Sequence, residues 1–526
     1  MIKSISYLVF IIICISATVD TQLFVYPSLS RYLLLEIGIL TMTFICLGIH
    51  IAKQYIATIS RLEIFFIVWI VYILLHSLII QPCEQYRTIY LCVTLSVPIL
   101  LASMQKNGLL TRKNIVTALL LGASIHLVCI IGQHAGLMKS GSPYFSVTGC
   151  NENPTATALY LVGCLPMMAT RINTSKAKVV YSILLAISIY GIILLRCRTA
   201  YIGICIESII FFAIQLSSKW QKIAIHPFLS CILGIMLLAL TIAAGVGLYN
   251  MKRDSADGRR LIWKLSSEMI AEKPLGYGYG LFEKYYNLEQ AKYFARGNYT
   301  ATEARNASFV YMPYNDFLEQ GVEGGIAGML LLLAFYAVMI KKTIQTNRKE
   351  DAAVFCSFAV MSLFNFVYTA ILPWLLLMCY ASFVISDEKK QIIWKRIPRY
   401  MLFIILISIG IVSVKVLRMT EAQIRLKKFD KQSTWISDKE FAKIEASIGT
   451  SEAYWTKRAI RNINERHYEN ALANIHKARF YTSAPILFFA EHYCLKRMGK
   501  TEESTRCLDT LSYMAPQKFN SSHINK

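Results

Sequence analysis

Charge is scarce in this chain. Only 17% of its 526 residues are Asp, Glu, Lys or Arg, against 55% hydrophobic, and with apolar runs recurring along most of its length this balance excludes a soluble globular enzyme. Cysteine clusters with metal-ligand spacing are also lacking. Most of the fourteen cysteines sit inside apolar runs as small hydrophobes, and Cys494 and Cys507, outside those runs, either pair across a helical hairpin or stay as two free thiols. A soluble basic module with interleaved aromatics is missing, which argues against nucleic acid as a partner. The apolar segment after Lys3 has no convincing small-residue cleavage site behind it, so it reads as an uncleaved helix and not as a removable signal peptide.

What is present is a series of apolar runs of spanning length, near residues 5–19, 32–51, 63–80, 89–104, 115–134, 155–170, 178–195, 200–216, 228–249, 325–340, 352–370, 372–386 and 400–417. They predict an all-α, polytopic transmembrane bundle of about 12–13 spans, with the 352–386 pair the least well marked. Lys and Arg alternate between loops. Lys53 and Arg61, Lys106 to Lys113, Arg171 to Lys178, Lys219 and Lys222, Lys341 to Lys349, and Lys389 to Arg399 fall on one side. The opposite short loops carry only Arg31, Arg87, Lys139, Arg196 and Arg198. By the positive-inside rule the N-terminus is cytoplasmic, and residues 250–324 and everything after 417 face outward. Four units follow: a bundle over 1–249, an external loop over 250–324, further spans over 325–417, and a soluble helical-hairpin domain over 418–526. In that last unit Trp455, Ala459, Ala471, Ile475 and Ala478 have the spacing of a tetratricopeptide repeat, a weak signal from one or two degenerate copies. It reads as a binding or bracing module.

Four external segments hold residues a passive linker does not need. "VTGCNENPTATALYL", from Val147, sets Asn153 before Pro154 at a helix start, either a simple cap or an anion site. "LLRCRTAYIG" puts Arg196 and Arg198 in one tight turn, where they either snorkel to lipid or hold an anion. "DGRRLIWKLSSEMIAEKPLGYGYGLF", from Asp257, offers Arg259 and Arg260 on a helix whose Leu261, Ile262, Leu265 and Met269 suit a membrane interface with Trp263 as anchor. Its glycine run is either a phosphate cradle or, with better odds, a turn needing positive φ. "MPYNDFLEQGVEGGIAGMLLLL", from Met312, places Tyr314, Asn315, Asp316, Glu319 and Glu323 at the mouth of the next helix, where acidic residues are also favoured structurally.

Taken in order, "G…NP" at 149–154, "RCRTA" at 196–200, "GRRLIW…EKPLGYGYGLF" at 258–282 and "YNDFLEQGVEGGI" at 314–326 resemble the O-antigen ligase and polymerase superfamily. The resemblance implies an inner-membrane glycosyltransferase of bacteria that takes a glycan from a polyisoprenyl-diphosphate carrier, with no nucleotide sugar and no obligatory metal. The acceptor is lipid A–core in ligases, another repeat unit in polymerases, and Ser or Thr of proteins in the related oligosaccharyltransferases. It further implies Arg198 and Arg259 as diphosphate clamps, with Arg196 and Arg260 beside them, and Glu323 as a recurrent family glutamate.

The family's "HN" reads Tyr314-Asn315 here, and no histidine occurs in 250–324. A phenol is a poorer base than imidazole at neutral pH, and His134 is the nearest substitute by topology. Three options stand: a base among the carboxylates Asp316, Glu319, Glu323 and Glu303; catalysis that rests on leaving-group stabilisation; or an inactive relative. Asn153, Asp316 and Glu319 join Arg196 and Arg260 as expected substrate-binding residues, with Arg198, Arg259, Tyr314, Asn315 and Glu323 as expected catalytic ones. Membrane lipids, and a protein held by the tail, are further expected partners. A lipid or polysaccharide transporter is the non-enzyme alternative. It should carry ionisable residues at mid-span, where this chain has chiefly His76, His126 and Glu207.

Overall fold

The computed structural model of the chain describes residues 2–19, 23–24, 27–53, 57–174, 176–220, 253–388, 391–394, 399–431 and 437–516. Twelve of the thirteen apolar runs are helical there; the run at 228–249 lies outside the described residues. In chain order the bundle contains α1 (Ile2–Ser16), α2 (Pro27–Lys53), α3 (Arg61–Ile79), α4 (Gln85–Lys106), α5 (Arg112–His134), α6 (Pro154–Thr174), α7 (Lys178–Leu194) and α8 (Arg198–Trp220). Then come α9 (Arg253–Glu272), α10 (Phe282–Ala295) and α11 (Ala301–Asn306), followed by α12 (Asp316–Gln345), α13 (Lys349–Phe364), α14 (Ile371–Ser386) and α15 (Arg399–Lys431). The tail is α16 (Asp438–Ile448), α17 (Glu452–Asn464), α18 (Tyr468–Arg479), α19 (Pro485–Arg497) and α20 (Thr501–Met514). Among the described residues seven of these helices are long and apolar enough to cross a membrane, and α1, α7 and α14 are shorter apolar helices. The chain is therefore a multi-pass membrane protein.

Among the described residues the one departure from an all-α fold is small. β1 (Ala57–Ser60) and β2 (Gln391–Trp394) pair antiparallel, with Ala57 opposite Trp394. They join two of the basic loops. The basic loops of Lys106, Arg112 and Lys342 gather at the same end: Lys106 reaches Glu63 at 3.2 Å, Arg112 reaches Asp351 at 2.8 Å, and Lys342 reaches Glu388 at 2.9 Å. The alternation of charge along the sequence thus becomes a physical separation of two ends.

At the centre lies α14. A helix that is apolar all round must be covered all round, and Ile371 to Ile385 are buried without a break. Its Trp374 meets Trp69, Phe335 and Tyr368 at ring distances of 6.3, 5.8 and 4.9 Å, and donates its indole N–H to the Thr94 hydroxyl. In contrast, α15 keeps Phe403, Ile404, Ile407 and Ile411 exposed, as a lipid-facing helix should.

Two breaks in the apolar helices shape the end opposite the basic loops. The 352–370 run is helical only to Phe364, and the chain from Asn365 to Ala370 is unwound. Within α12, Gly325 adopts φ 68° and ψ −174° and divides the helix. The glycine run of "PLGYGYG" lies against that break. Tyr277 and Gly278 donate their N–H groups to the carbonyls of Val322 and Glu323, and Ile326 donates to that of Pro274. The run is therefore a structural pairing strip, the turn reading of the sequence, and its amides are occupied by the protein itself.

The long loop is a folded unit. Leu261, Ile262, Leu265 and Met269 of α9 pack with Phe282 and Tyr286 of α10 and Val322 of α12. This corrects the expectation of a helix lying in the membrane interface: its apolar face is taken by protein, and Trp263 donates its N–H to the Pro313 carbonyl at 3.1 Å instead of anchoring in lipid. The tail forms helical hairpins in which Trp455, Ala459, Ala471, Ile475 and Ala478 are buried as their spacing required. It is bolted to the loop, because Gln290 of α10 donates to the Met514 carbonyl and Lys284 to that of Phe480. Cys494 and Cys507 are both free thiols.

The pairing strip gives a test. A Cβ on Gly276 (φ 83°) would fall 2.4 Å from the Gly325 nitrogen and 2.6 Å from the Glu323 carbonyl oxygen. Gly276→Ala should therefore cost more than about 1 kcal/mol, seen as a lower melting temperature of the purified protein. Gly48→Ala, where nothing lies within 4 Å, should show no such loss.

Candidate active site

All four segments singled out in the sequence meet at the end opposite the basic loops. Asn153 is exposed, and its Oδ1 accepts the Thr155 N–H at 2.9 Å, so its role in the structure is to cap α6. Thr155 in turn lies against Cys197, the residue between Arg196 and Arg198; the thiol is pushed up by burial, with the Thr155 hydroxyl and the Arg259 charge pulling the other way. The Arg196–Arg198 turn, the start of α6 and Arg259 of α9 are thus neighbours.

Arg259 is the hub of this group. Its Nη1 donates to the Phe364 carbonyl at 2.9 Å, and its guanidinium sits 4.9 Å from the centre of the Tyr314 ring. Burial, and then the adjacent Arg198 charge, pull the Arg259 guanidinium below its ordinary value, opposed by Tyr314 and Cys197. Two like charges this close, out of bulk water, each disfavour the charged form of the other. Arg198 is half-buried, whereas Arg196 and Arg260 are exposed. Backbone strain marks the same place. Arg196 (φ 50°) and Tyr314 (φ 53°) occupy the left-handed region, which costs a non-glycine residue on the order of 1–3 kcal/mol and persists where surrounding contacts over-determine it.

The residues after Tyr314 have distinct jobs. Asn315 caps α12, its Oδ1 accepting from Phe317 and Leu318 at 3.0 Å each. Asp316 is fully buried, and its Oδ2 accepts the N–H groups of Val367 and Tyr368, each at 3.0 Å. It pins the unwound link to the mouth of α12. Glu319 and Glu323, one turn apart, both approach Arg87: Nη2 is 3.0 Å from Glu319 Oε1 and Nε is 3.6 Å from Glu323 Oε2. Arg87 also lies 5.1 Å from the Tyr368 ring.

Beside this ion triad is a cavity of about 260 Å³, lined by Tyr32, Glu84, Arg87, Glu283, Glu319 and Glu323 among others. Thr369 lines it too. The unwound link therefore touches both halves of the site: Phe364 holds Arg259, Asn365 donates to Thr199 beside Arg198, Val367 and Tyr368 bind Asp316, and Thr369 reaches the cavity. The tail closes the far wall, since Thr482 and Ser483 donate to the Glu283 carboxylate at 2.8 Å each.

The sequence missed Arg87, Glu84, Glu283 and the 364–369 link. Arg87 was visible only as one of the few cations on the depleted side, and the link only as an asparagine within an apolar run. His134, the topological substitute for the missing histidine, pairs with Tyr190 at 3.3 Å and joins none of these groups. Glu303 pairs with Lys264 and caps α11.

A family model described as O-antigen ligase matches residues 183–333, the stretch from α7 through the arginine turn and the external loop to the kinked helix. Over that stretch it supports the resemblance carried by the motifs. No curated protein matches the chain.

Glu84, which precedes α4, is pushed up to about 8 by burial and then by Glu452 of the tail, with Arg87 opposing. A carboxyl whose folded pKa exceeds its unfolded value near 4.5 favours folding below that value and loses this contribution as pH rises through the folded pKa. The melting temperature of the purified protein should therefore fall between about pH 5 and pH 9. Glu84→Gln should flatten the fall; an unchanged slope would assign the pH dependence elsewhere.

Proposed function

We propose that the chain moves a glycan from a polyisoprenyl-diphosphate carrier onto an acceptor at the outer face of the bacterial inner membrane, most directly by O-antigen ligation to lipid A–core. The observation that carries this reading is the Arg198–Arg259 pair, two mutually repelling guanidiniums in one half-dry site. Breaking the bond between sugar C1 and the diphosphate builds negative charge on the leaving group, and fixed cations stabilise that charge as it develops. Two guanidiniums this close present more positive charge to a dianion than two separate surface arginines.

The acceptor hydroxyl must lose a proton as it attacks C1. Glu323 is the base in this reading, on the cavity wall, with Arg87 orienting it and Asn315 and Asp316 fixing the helix that carries it. Tyr314, under Arg259, contributes a hydroxyl that positions the reacting groups in place of the family histidine. Arg196 and Arg260 meet the carrier phosphates from the exposed side. The N-terminus is cytoplasmic and the tail periplasmic in this reading, consistent with basic loops gathered at one end and the site at the other.

Polymerase and protein O-oligosaccharyltransferase activities share this donor chemistry and differ in acceptor. A lipid or polysaccharide transporter is disfavoured by charge gathered at one end of the bundle.

Arg198→Ala and Arg259→Ala should each lower glycan transfer by about 10²-fold or more, with surface glycans read on gels of the deletion strain carrying each variant; normal transfer in both would end the reading. Glu323→Gln should lower the rate without loss of the folded protein. Deletion itself separates the acceptors: loss of long chains from lipid A–core indicates ligase, a single-repeat cap polymerase, and unmodified glycoproteins the third activity.

A further inference from the structure

A pocket of about 580 Å³ opens at the basic end of the bundle, between the start of α5, the last turns of α6 and the start of α13. Arg112, Lys113, Arg171 and Lys176 line it, against a single carboxylate, Glu350. Basic loops at one end need no ligand, because topology alone selects them. What sets this group apart is its pairing. Lys106, Lys342 and Arg348 at the same end each meet a carboxylate of the protein, and Arg112 takes up Glu350 at 3.2 Å and Asp351 at 2.8 Å. Among the described residues no carboxylate pairs with Lys113, Arg171 or Lys176.

Arg171 is held in place without being neutralised. Its Nη2 donates to the Lys113 carbonyl at 3.4 Å and its Nη1 to the Tyr181 hydroxyl at 3.5 Å, and its guanidinium lies 5.9 Å from the centre of the Tyr181 ring. These long, neutral contacts orient a group that has five donors to offer. The floor of the pocket is apolar, since Val116 and Met167 are buried there. Beside it on α7, Val179, Val180 and Ile183 flank Tyr181 and stand 71%, 62% and 53% exposed, the kind of face that hydrocarbon covers in a membrane. Cations free of carboxylates next to a lipid-facing apolar strip supply both parts of a phospholipid site: donors for phosphate oxygens and a surface for acyl chains.

We propose that this pocket holds the headgroup of an anionic phospholipid, its phosphate oxygens on Lys113, Arg171 and Lys176 and its acyl chains along the exposed face of α7. The volume lies inside the range of roughly 300–1,000 Å³ usual for small-molecule sites. A zwitterionic lipid is a poorer occupant, because its headgroup brings a positive charge of its own to a surplus of cations. Free phosphate offers the same oxygens and lacks the chains. The pocket is at the opposite end of the bundle from Arg198 and Arg259, so its lipid is neither donor nor acceptor of the proposed transfer, and the assignment stands independently of that reading. The bound headgroup bridges α5 and α6.

The test titrates the full-length protein, purified in a neutral detergent, with phosphatidylglycerol, phosphatidylcholine or inorganic phosphate and follows its melting temperature. Phosphatidylglycerol should raise it, with half-saturation at a concentration at least about fivefold lower than for phosphatidylcholine, and inorganic phosphate at matched concentration should raise it less. Arg171→Gln and Lys176→Gln should each weaken phosphatidylglycerol about fivefold, the worth of one cation near a membrane surface. Lys176 is exposed, so its variant keeps the test decisive if Arg171→Gln fails to fold. Lys341→Gln removes an exposed charge from the same end outside the pocket and should leave the affinity unchanged. An equal loss in Lys341→Gln would assign the binding to general surface charge. Equal binding of the two lipids, or unchanged affinity in Lys176→Gln, would remove the site, and a phosphate effect as large as that of phosphatidylglycerol would remove the lipid as its occupant; any of these overturns the proposal.

Discussion

The carboxylate of Asp316 holds two backbone amides, and the geometry of the site hangs on that contact. Val367 and Tyr368 belong to a stretch that has left helical conformation inside the bundle, where unpaired N–H groups are costly. Asp316 supplies the acceptor, and in doing so ties the unwound link to the first turn of the kinked helix. From that tie the link runs both ways. Its start holds Arg259 by a carbonyl, and its end lines the cavity of Arg87 and the glutamates. Irregular backbone at membrane depth is tolerated where protein or a water-filled cavity covers it, and here it joins the two halves of one site.

Those halves have opposite electrical character. On one side Arg198 lies beside Arg259; on the other, Arg87 stands between Glu319 and Glu323 in a cavity that Glu84 and Glu283 also line. Each is costly alone, because burial amplifies repulsion as well as attraction. The tail belongs to the same design: its Thr482 and Ser483 neutralise the hydrogen-bonding demand of Glu283, and Glu452 raises the electrostatic load on Glu84.

The glycine strip shows why motif and mechanism need separate arguments. "PLGYGYG" resembles a phosphate-binding loop in composition, yet its glycines have positive φ and its amides go to Val322 and Glu323. Glycine is required because two backbones meet at less than the width of a side chain. Trp263 teaches the same lesson, since an interfacial anchor and a packed indole with a carbonyl partner have one sequence signature.

Hydropathy and charge made the bundle legible from the sequence. Apolar runs act locally, each needing only its own length to be a helix in lipid, and basic loops need only their neighbours to choose a side. The four polar segments and the buried face of the tail hairpins were legible for the same reason, as were Arg198 and Arg259 as cations where cations are depleted. What no local pattern carried was their meeting. Arg87 and Glu319 lie 232 residues apart, the link at Asn365–Ala370 interrupts an apolar run with little warning, and nothing local sets Glu84 and Glu283, each at a helix start, apart from other acids. The sequence determined which segments cross the membrane and which side chains could bind charge. The packing of helices around a broken one decided which of those charges share a cavity, because electrostatic energy depends on distance in space and on burial, neither of which exists until the chain has folded.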